Sequence, residues 1–159
     1  MEYGGAQWRP REANTPVILG EQPLRLDEKG RIVLPAKWRP QFTEGLVIAK
    51  SQEHCLSVFP LAEFNQVSLR LKGAPTSDRR TRDYVRIFFA SAYDEVPDRQ
   101  GRVTVPAALR DYAGLTRDCV AIGANTRAEL WDQAAWSTYL SNSEPAFSDL
   151  AEEVLPGVL

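Results

Sequence analysis

The sequence predicts an α+β fold made of two like halves, and three observations predict it. A ten-residue pattern occurs twice: Asp27-Glu28-Lys29-Gly30-Arg31-Ile32-Val33-Leu34-Pro35-Ala36 returns as Asp98-Arg99-Gln100-Gly101-Arg102-Val103-Thr104-Val105-Pro106-Ala107, at an offset of 71 residues. Each copy surrounds its Asp-x-x-Gly turn with apolar and β-branched residues, the composition of short strands. Each copy is also followed by a stretch with apolar residues at helical spacing. Fainter echoes extend the match. Leu46-Val47-Ile48 answers Cys119-Val120-Ala121-Ile122, Ser57-Val58-Phe59-Pro60 answers Glu129-Leu130-Trp131-Asp132, and Phe64 answers Trp136. The chain is therefore a tandem duplication of a module of about 45 residues.

The elements follow in order. Leu24-Arg25-Leu26 alternates like a strand. Asp27 caps the turn through its side chain, Gly30 accepts positive φ, and Arg31 to Leu34 resumes a strand. Pro35 suits a helix start, where its missing N–H has no partner to lose. A short helix over Ala36 to Phe42 follows, stopped near Thr43-Glu44-Gly45. Strands are expected near 46–50 and 55–59. Copy two repeats this order, with Gly114 ending its helix. Between the copies, Leu61 to Leu71 reads as a helix broken by Gly73-Ala74-Pro75. Ser77 or Asp78 caps the next, which runs to about Ala92. It sets an apolar stripe (Tyr84, Val85, Phe88, Phe89) against Arg79, Arg82 and Arg86. Asp132 caps a last helix bearing Trp136 and Tyr139. The organisation is an extension over 1–17, modules over 21–63 and 92–135, connecting helices over 64–91, and a helix with an acidic tail over 136–159. Neither half has strands enough to close a sheet, so the halves are expected to interleave into one small barrel.

Composition narrows the function classes. No apolar run approaches the ~20 residues of a membrane span, and the N-terminus lacks the order of a secretory signal. Two cysteines and one histidine cannot supply four Cys/His ligands to zinc within one chain. Cys55 and Cys119 read as buried thiols, and strand alternation would turn His54 and Cys55 to opposite faces. No nucleophile–base pair, phosphate loop or metal cluster suggests an enzyme, and no cofactor is implied. The formal net charge of −2 arises in the tail, because residues 1–139 hold 19 basic against 17 acidic residues.

The paired Asp-x-x-Gly-Arg segments with Pro-Ala after them resemble the SpoVT/AbrB superfamily. Two copies in register, Ala113-Gly114-Leu115-Thr116-Arg117-Asp118 and the late Glu129-Leu130-Trp131-Asp132-Gln133-Ala134-Ala135-Trp136 are similar to the MraZ family in particular, over roughly Ile18 to Leu140. The resemblance implies a duplicated swapped-hairpin module forming a double-split β-barrel with flanking helices, and ring-shaped homo-oligomers. It further implies a cytoplasmic, nucleoid-associated regulator, usually a repressor, that binds repeated elements of double-stranded promoter DNA before the division and cell-wall gene cluster. The family's usual Met-Phe-Leu-Gly opening reads here Val17-Ile18-Leu19-Gly20, so Val17 is expected to mark the native start.

The residues support that site independently. A tight turn projects Lys29 and Arg31 from a hairpin, and a two-stranded ribbon fits the major groove. Arg31 can fork onto guanine, and Lys29 suits phosphate. Asp27 either pins the turn or orients Arg31. Glu28 either accepts from a cytosine amino group or faces solvent. The candidate DNA-binding set is Asp27, Lys29, Gly30, Arg31, Lys37 and Arg39 in copy one, with Asp98, Arg99, Gly101 and Arg102 in copy two. Residues 23–39 hold five basic and two acidic residues, whereas 94–110 hold three of each, so copy one is expected to lead. Either turn alone would pass for an ordinary β-turn; repetition of the charge pattern favours DNA. Arg79, Arg80, Arg82 and Arg86 read first as a solvated face, then as a subunit contact. Trp38, Trp131 and Trp136 read as core or interface. The rivals are an antitoxin of the same superfamily and an oligomeric scaffold without DNA.

Overall fold

The computed structural model of the chain describes residues 17–157; the proposed extension lies outside them, apart from Val17. Among the described residues eight strands and five α-helices follow in chain order. They are β1 (Glu21–Arg25), β2 (Arg31–Val33), β3 (Leu46–Lys50), β4 (Leu56–Pro60), α1 (Leu61–Lys72), α2 (Arg79–Ser91), β5 (Tyr93–Glu95), β6 (Arg102–Thr104), α3 (Ala107–Ala113), β7 (Asp118–Gly123), β8 (Ala128–Asp132), α4 (Gln133–Ser143) and α5 (Phe147–Val154). Six strands form one antiparallel sheet in the order β1-β7-β8-β4-β3-β5, and β2 pairs with β6 in a two-stranded ribbon.

The class is α+β, and the halves interleave. β1 lies on β7, β4 on β8, β3 on β5 and β2 on β6, all across the duplication. β3–β4 and β7–β8 stay within a copy. The expected closure is not seen: β1 and β5 each have one neighbour, so strand pairing closes no barrel among the described residues.

One core serves both halves. Ile32, Leu34, Trp38, Phe42, Leu46 and Ile48 from copy one meet Val103, Val105, Leu109, Cys119 and Leu130 from copy two, all 3% exposed or less. Burying each large apolar side chain contributes about 1.5–3 kcal/mol, so neither half keeps its core without the other. Smaller clusters seat the helices. Phe59, Phe64, Phe88 and Phe89 join α1 and α2 to the sheet, and Trp131 packs edge-on to Trp136 of α4 at 5.1 Å.

Two local readings change. Ala36–Phe42 is a 3₁₀ helix with Pro40 inside it. Proline lacks the N–H that would bond back to Ala36, so the tighter winding prevails. Its counterpart α3 has no internal proline and is α-helical, ending at Gly114 with φ 58°. Asp78 stands at the N-cap of α2 but its carboxylate accepts from the Thr81 hydroxyl (3.1 Å), not from a backbone N–H. Asp132 caps α4 as expected, accepting from the Ala135 N–H at 3.3 Å.

The thiols are buried, and burial pushes Cys55 up to about 12 and Cys119 up to about 11. His54 and Cys55 are separated by a turn, not by strand alternation. His54 has φ 55° and stacks on Tyr112 at 4.7 Å, while the Cys55 thiol donates to the Gln52 carbonyl at 3.2 Å. Among the described residues no helix is long and apolar enough to cross a membrane.

Candidate nucleic-acid interface

The two Asp-x-x-Gly-Arg segments fold into twin turns. Asp27 Oδ1 accepts from the backbone N–H groups of Lys29 (2.8 Å) and Arg31 (2.9 Å), and Oδ2 accepts from Arg31 Nε (2.9 Å). Asp98 repeats this with Gln100 (2.9 Å), Arg102 (2.9 Å) and Arg102 Nε (2.7 Å). A carboxylate is the short acceptor that can hold two turn amides and a guanidinium together, which explains Asp at the first position and Arg at the fifth. The backbone N–H of Arg31 holds the Asp27 carboxyl below the usual carboxylate value, helped by the Arg31 side chain; Arg102 does the same for Asp98.

Each turn is then clasped by the opposite half. The Leu34 N–H donates to Gly101 O and the Val105 N–H to Gly30 O, both at 2.8 Å, extending the β2–β6 ladder at its two ends. Over Gly101 lies the Arg39 guanidinium, whose Nε donates to Leu34 O at 3.0 Å. Over Gly30 lies that of Arg110, whose Nε donates to Val105 O at 2.9 Å. Both glycines are buried, with φ 78° and 79°. Any Cβ would meet the guanidinium: at Gly30 it would stand 3.0 Å from Arg110 Cζ, and at Gly101 2.7 Å from Arg39 Cζ. Glycine thus suits both sites, for its backbone conformation and for the close approach of the arginine.

The register of the ribbon decides what it presents. Arg31 faces Thr104 and Val33 faces Arg102, while Ile32 faces Val103. Ile32 and Val103 point into the core, 2% and 0% exposed, so by alternation Arg31, Val33, Arg102 and Thr104 share the outer face. The pair of arginines that the sequence assigned to separate copies therefore stands on one ribbon.

The remaining candidates are distributed around it. Lys29 and Arg99 are exposed on the two turns, and Lys37 is exposed with its ammonium beside Gly20. Arg39 is in the clasp, not on the outer face. Sequence reasoning passed over two residues at the first turn. Arg25 and Arg117 border a groove of about 550 Å³ with Leu26, Asp27, Glu28, Leu115 and Thr116. Leu26 N–H donates to Arg117 O at 2.9 Å, so this proximity depends on β1 pairing with β7, for which the local pattern carries no signal. The second turn has an acidic neighbour instead, because Glu95 Oε1 accepts the Thr104 N–H at 2.9 Å. On α2, Arg82 donates to the carbonyls of Thr76 (2.9 Å) and Ser77 (3.0 Å), and Arg79 pairs with Asp83 at 3.9 Å. Among the described residues no group of three or more His, Cys, Asp or Glu side chains is placed to hold a metal.

Comparison with known proteins identifies the family. The family model described as "MraZ protein, putative antitoxin-like" matches twice, over residues 17–87 and 88–156. The chain is 58% identical to a protein of Thermobifida fusca and 57% identical to one of Frankia alni, each over 143 residues, covering 90% of this chain and 100% of the relative. A Micrococcus luteus protein is 55% identical over 142 residues, 89% of this chain and 99% of the relative. All three are named transcriptional regulator MraZ. With two matched copies of the family model and relatives this similar over their full length, the chain belongs to the MraZ family.

Proposed function

We propose that this chain is a transcriptional regulator that binds double-stranded DNA sequence-specifically, as a homo-oligomer, through the outer face of the β2–β6 ribbon and its two turns. One observation carries the reading: Arg31 and Arg102 share the outer, partly exposed face of the ribbon, each pre-oriented by its own aspartate. The aspartate takes the Nε edge of the guanidinium, and the terminal amino groups remain for guanine O6 and N7. Such a bidentate contact is worth about 1–3 kcal/mol of discrimination. A guanidinium already held in place loses less side-chain entropy on binding. Lys29 and Arg99 at the turn tips serve phosphates, which position the ribbon without reading bases. Arg39 and Arg110 keep the two turns in register.

Copy one leads in this reading. Its turn has Arg25 and Arg117 as neighbours, whereas Asp94 and Glu95 precede the second. Modules 21–63 and 92–135 together form one reading head with the swapped hairpins of a double-split barrel. The cross-copy strand pairing supports that arrangement. A single head offers few contacts, so a ring presenting several would bind direct repeats spaced by about one helical turn, ~10 bp, with affinity multiplied by effective concentration. Support for self-assembly comes from complementary surfaces. Phe147 and Val154 of α5 are 73% and 64% exposed beside Asp149 and Glu153, and Tyr84 and Ile87 of α2 are exposed beside Arg80 and Arg86. The family resemblance extends the proposal to repression of the division and cell-wall gene cluster from the nucleoid.

The test compares wild type with Arg31→Ala on a duplex spanning the gene's own upstream region, at two salt concentrations, after measuring assembly mass. Loss of specific binding with mass unchanged supports the reading. Unchanged binding would move base reading away from the first hairpin, and no binding by wild type would favour a scaffold without DNA.

A further inference from the structure

The outer face of the ribbon carries four side chains, and the arginines are only two of them. Arg31 and Arg102 occupy one diagonal of the antiparallel pair; Val33 and Thr104, matched positions of the two copies, occupy the other. Val33 is the apolar member of the four. It is an apolar β-branched residue, 45% exposed, on a strand whose next residue, Leu34, is 3% exposed. At that exposure part of its side chain is open to solvent on the ribbon's outer face.

Placement gives the Val33 methyls a partner. Directly opposed residues on an antiparallel pair stand about 4.5–5.5 Å apart, and residues i and i+2 on one strand about 6.6 Å apart. Stacked bases are spaced by about 3.4 Å. Val33 therefore lies one to two base steps from whatever Arg31 and Arg102 grip. In the major groove the apolar feature of a base edge is the thymine C5-methyl group. We propose that Val33 is a specificity determinant that receives a thymine methyl within two steps of the guanine held by the adjacent arginine. Thr104, which has a hydroxyl in place of one methyl, makes the second half of the ribbon read an unlike step. The two copies then give the ribbon a direction on DNA, although its fold is nearly two-fold symmetric. This inference rests on the DNA reading proposed above and adds the base that the arginines leave unread.

The experiment begins with full-length wild-type protein and a random duplex pool, from which the tightest-binding duplex is recovered. Each thymine of that duplex is then replaced singly by deoxyuridine, which removes one methyl group and nothing else. Wild type is expected to lose roughly fourfold in affinity at one position near a protected guanine, the value of one buried methyl. Val33→Ala is expected to bind the unmodified duplex about as weakly as wild type binds that uracil duplex, with no further loss when the same thymine is replaced. Val33→Thr keeps the β-branched backbone preference and one methyl, so it is expected to retain part of the sensitivity at that thymine, which separates the methyl contact from any loosening of the strand. Equal, additive losses in wild type and Val33→Ala would overturn the proposal, as would indifference of wild type to every uracil. A changed assembly mass in both variants would make Val33 a subunit contact and overturn it too. Failure of wild type to recover any duplex would instead sink the DNA reading itself.

Discussion

Replacing Gly101 by alanine tests whether the clasp between the halves stabilises the fold, and Gly114→Ala supplies the control. Both glycines sit in the left-handed region, at φ 79° and 58°. An L-residue there costs about 1–2 kcal/mol, and the loss of unfolded-chain entropy is common to both changes. Their surroundings differ. A Cβ at Gly114 meets nothing within 4 Å, whereas one at Gly101 runs into the Arg39 guanidinium. To make room Arg39 must withdraw its Nε from Leu34 O, a bond of 3.0 Å. A hydrogen bond to a charged group contributes about 1.5–3 kcal/mol. Gly101→Ala should therefore cost about 1.5–3 kcal/mol more than Gly114→Ala. The assay is urea unfolding at fixed protein concentration, because any assembly shifts apparent stability by mass action. With a slope of about 2 kcal/mol/M the difference moves the midpoint by about 1 M. In an Arg39→Ala background, where that bond is already absent, Gly101→Ala should cost no more than Gly114→Ala. Equal midpoints for the two glycine variants would refute the reasoning, because they would mean that Arg39 swings aside without cost.

Two further outcomes follow from the same structure. Asp27 and Asp98 have folded carboxyl values held below their ordinary value of 3.8, chiefly by the backbone N–H groups of Arg31 and Arg102. A depressed carboxyl adds stability that is present above the unfolded value and lost as pH falls through the folded one. Urea midpoints of wild type should drop on acidification below about pH 4, and those of Asp27→Asn/Asp98→Asn should drop less; parallel curves would count against the turns as acid-sensitive elements. The helix caps should also separate: Asp132→Ala loses its bonds to Ala135 and to Thr116 (2.6 Å to the hydroxyl) and should cost about 1–2 kcal/mol. Asp78→Ala, which makes no cap bond to backbone, should change stability by less than about 0.5 kcal/mol; a loss there equal to that of Asp132→Ala would contradict the geometry.

What the sequence disclosed was whatever local chemistry determines. The Asp-x-x-Gly-Arg turns are legible because one carboxylate, two nearby amides and a guanidinium make a closed set within five residues. The Asp132 cap and the Gly114 stop are legible for the same reason. Pairing across the duplication was not. The same alternation of Glu21 to Arg25 suits any open edge, and β7 is chosen by shape and burial that no short window contains. Arg117 was missed at the first turn in consequence. Arg39 shows the converse problem: the sequence shows a basic residue near the first turn but not the contact that its guanidinium makes. Its place over Gly101 is not legible in the sequence, since Gly101 is 62 residues away.

That clasp bears on why the duplication stays within one chain. Among the described residues four of the six strand ladders join one copy to the other, and the main core draws on both. The sequence repeat is thus not a folding unit; it is half of one. Two identical copies on separate chains could satisfy the same pairings, but they would be bound to symmetry, with the same residue at Val33 and Thr104 and the same charge at both turns. Fusion removes that constraint. It lets Arg25 and Arg117 gather at one turn while Glu95 bonds beside the other, and it gives a nearly symmetric ribbon two distinguishable ends. If the ribbon reads direct repeats, as proposed above, it needs such polarity, because a symmetric head would bind either orientation of each repeat equally well. The divergence of the two copies on the outer face, over a shared apolar inner face of Ile32 and Val103, is what this requirement predicts.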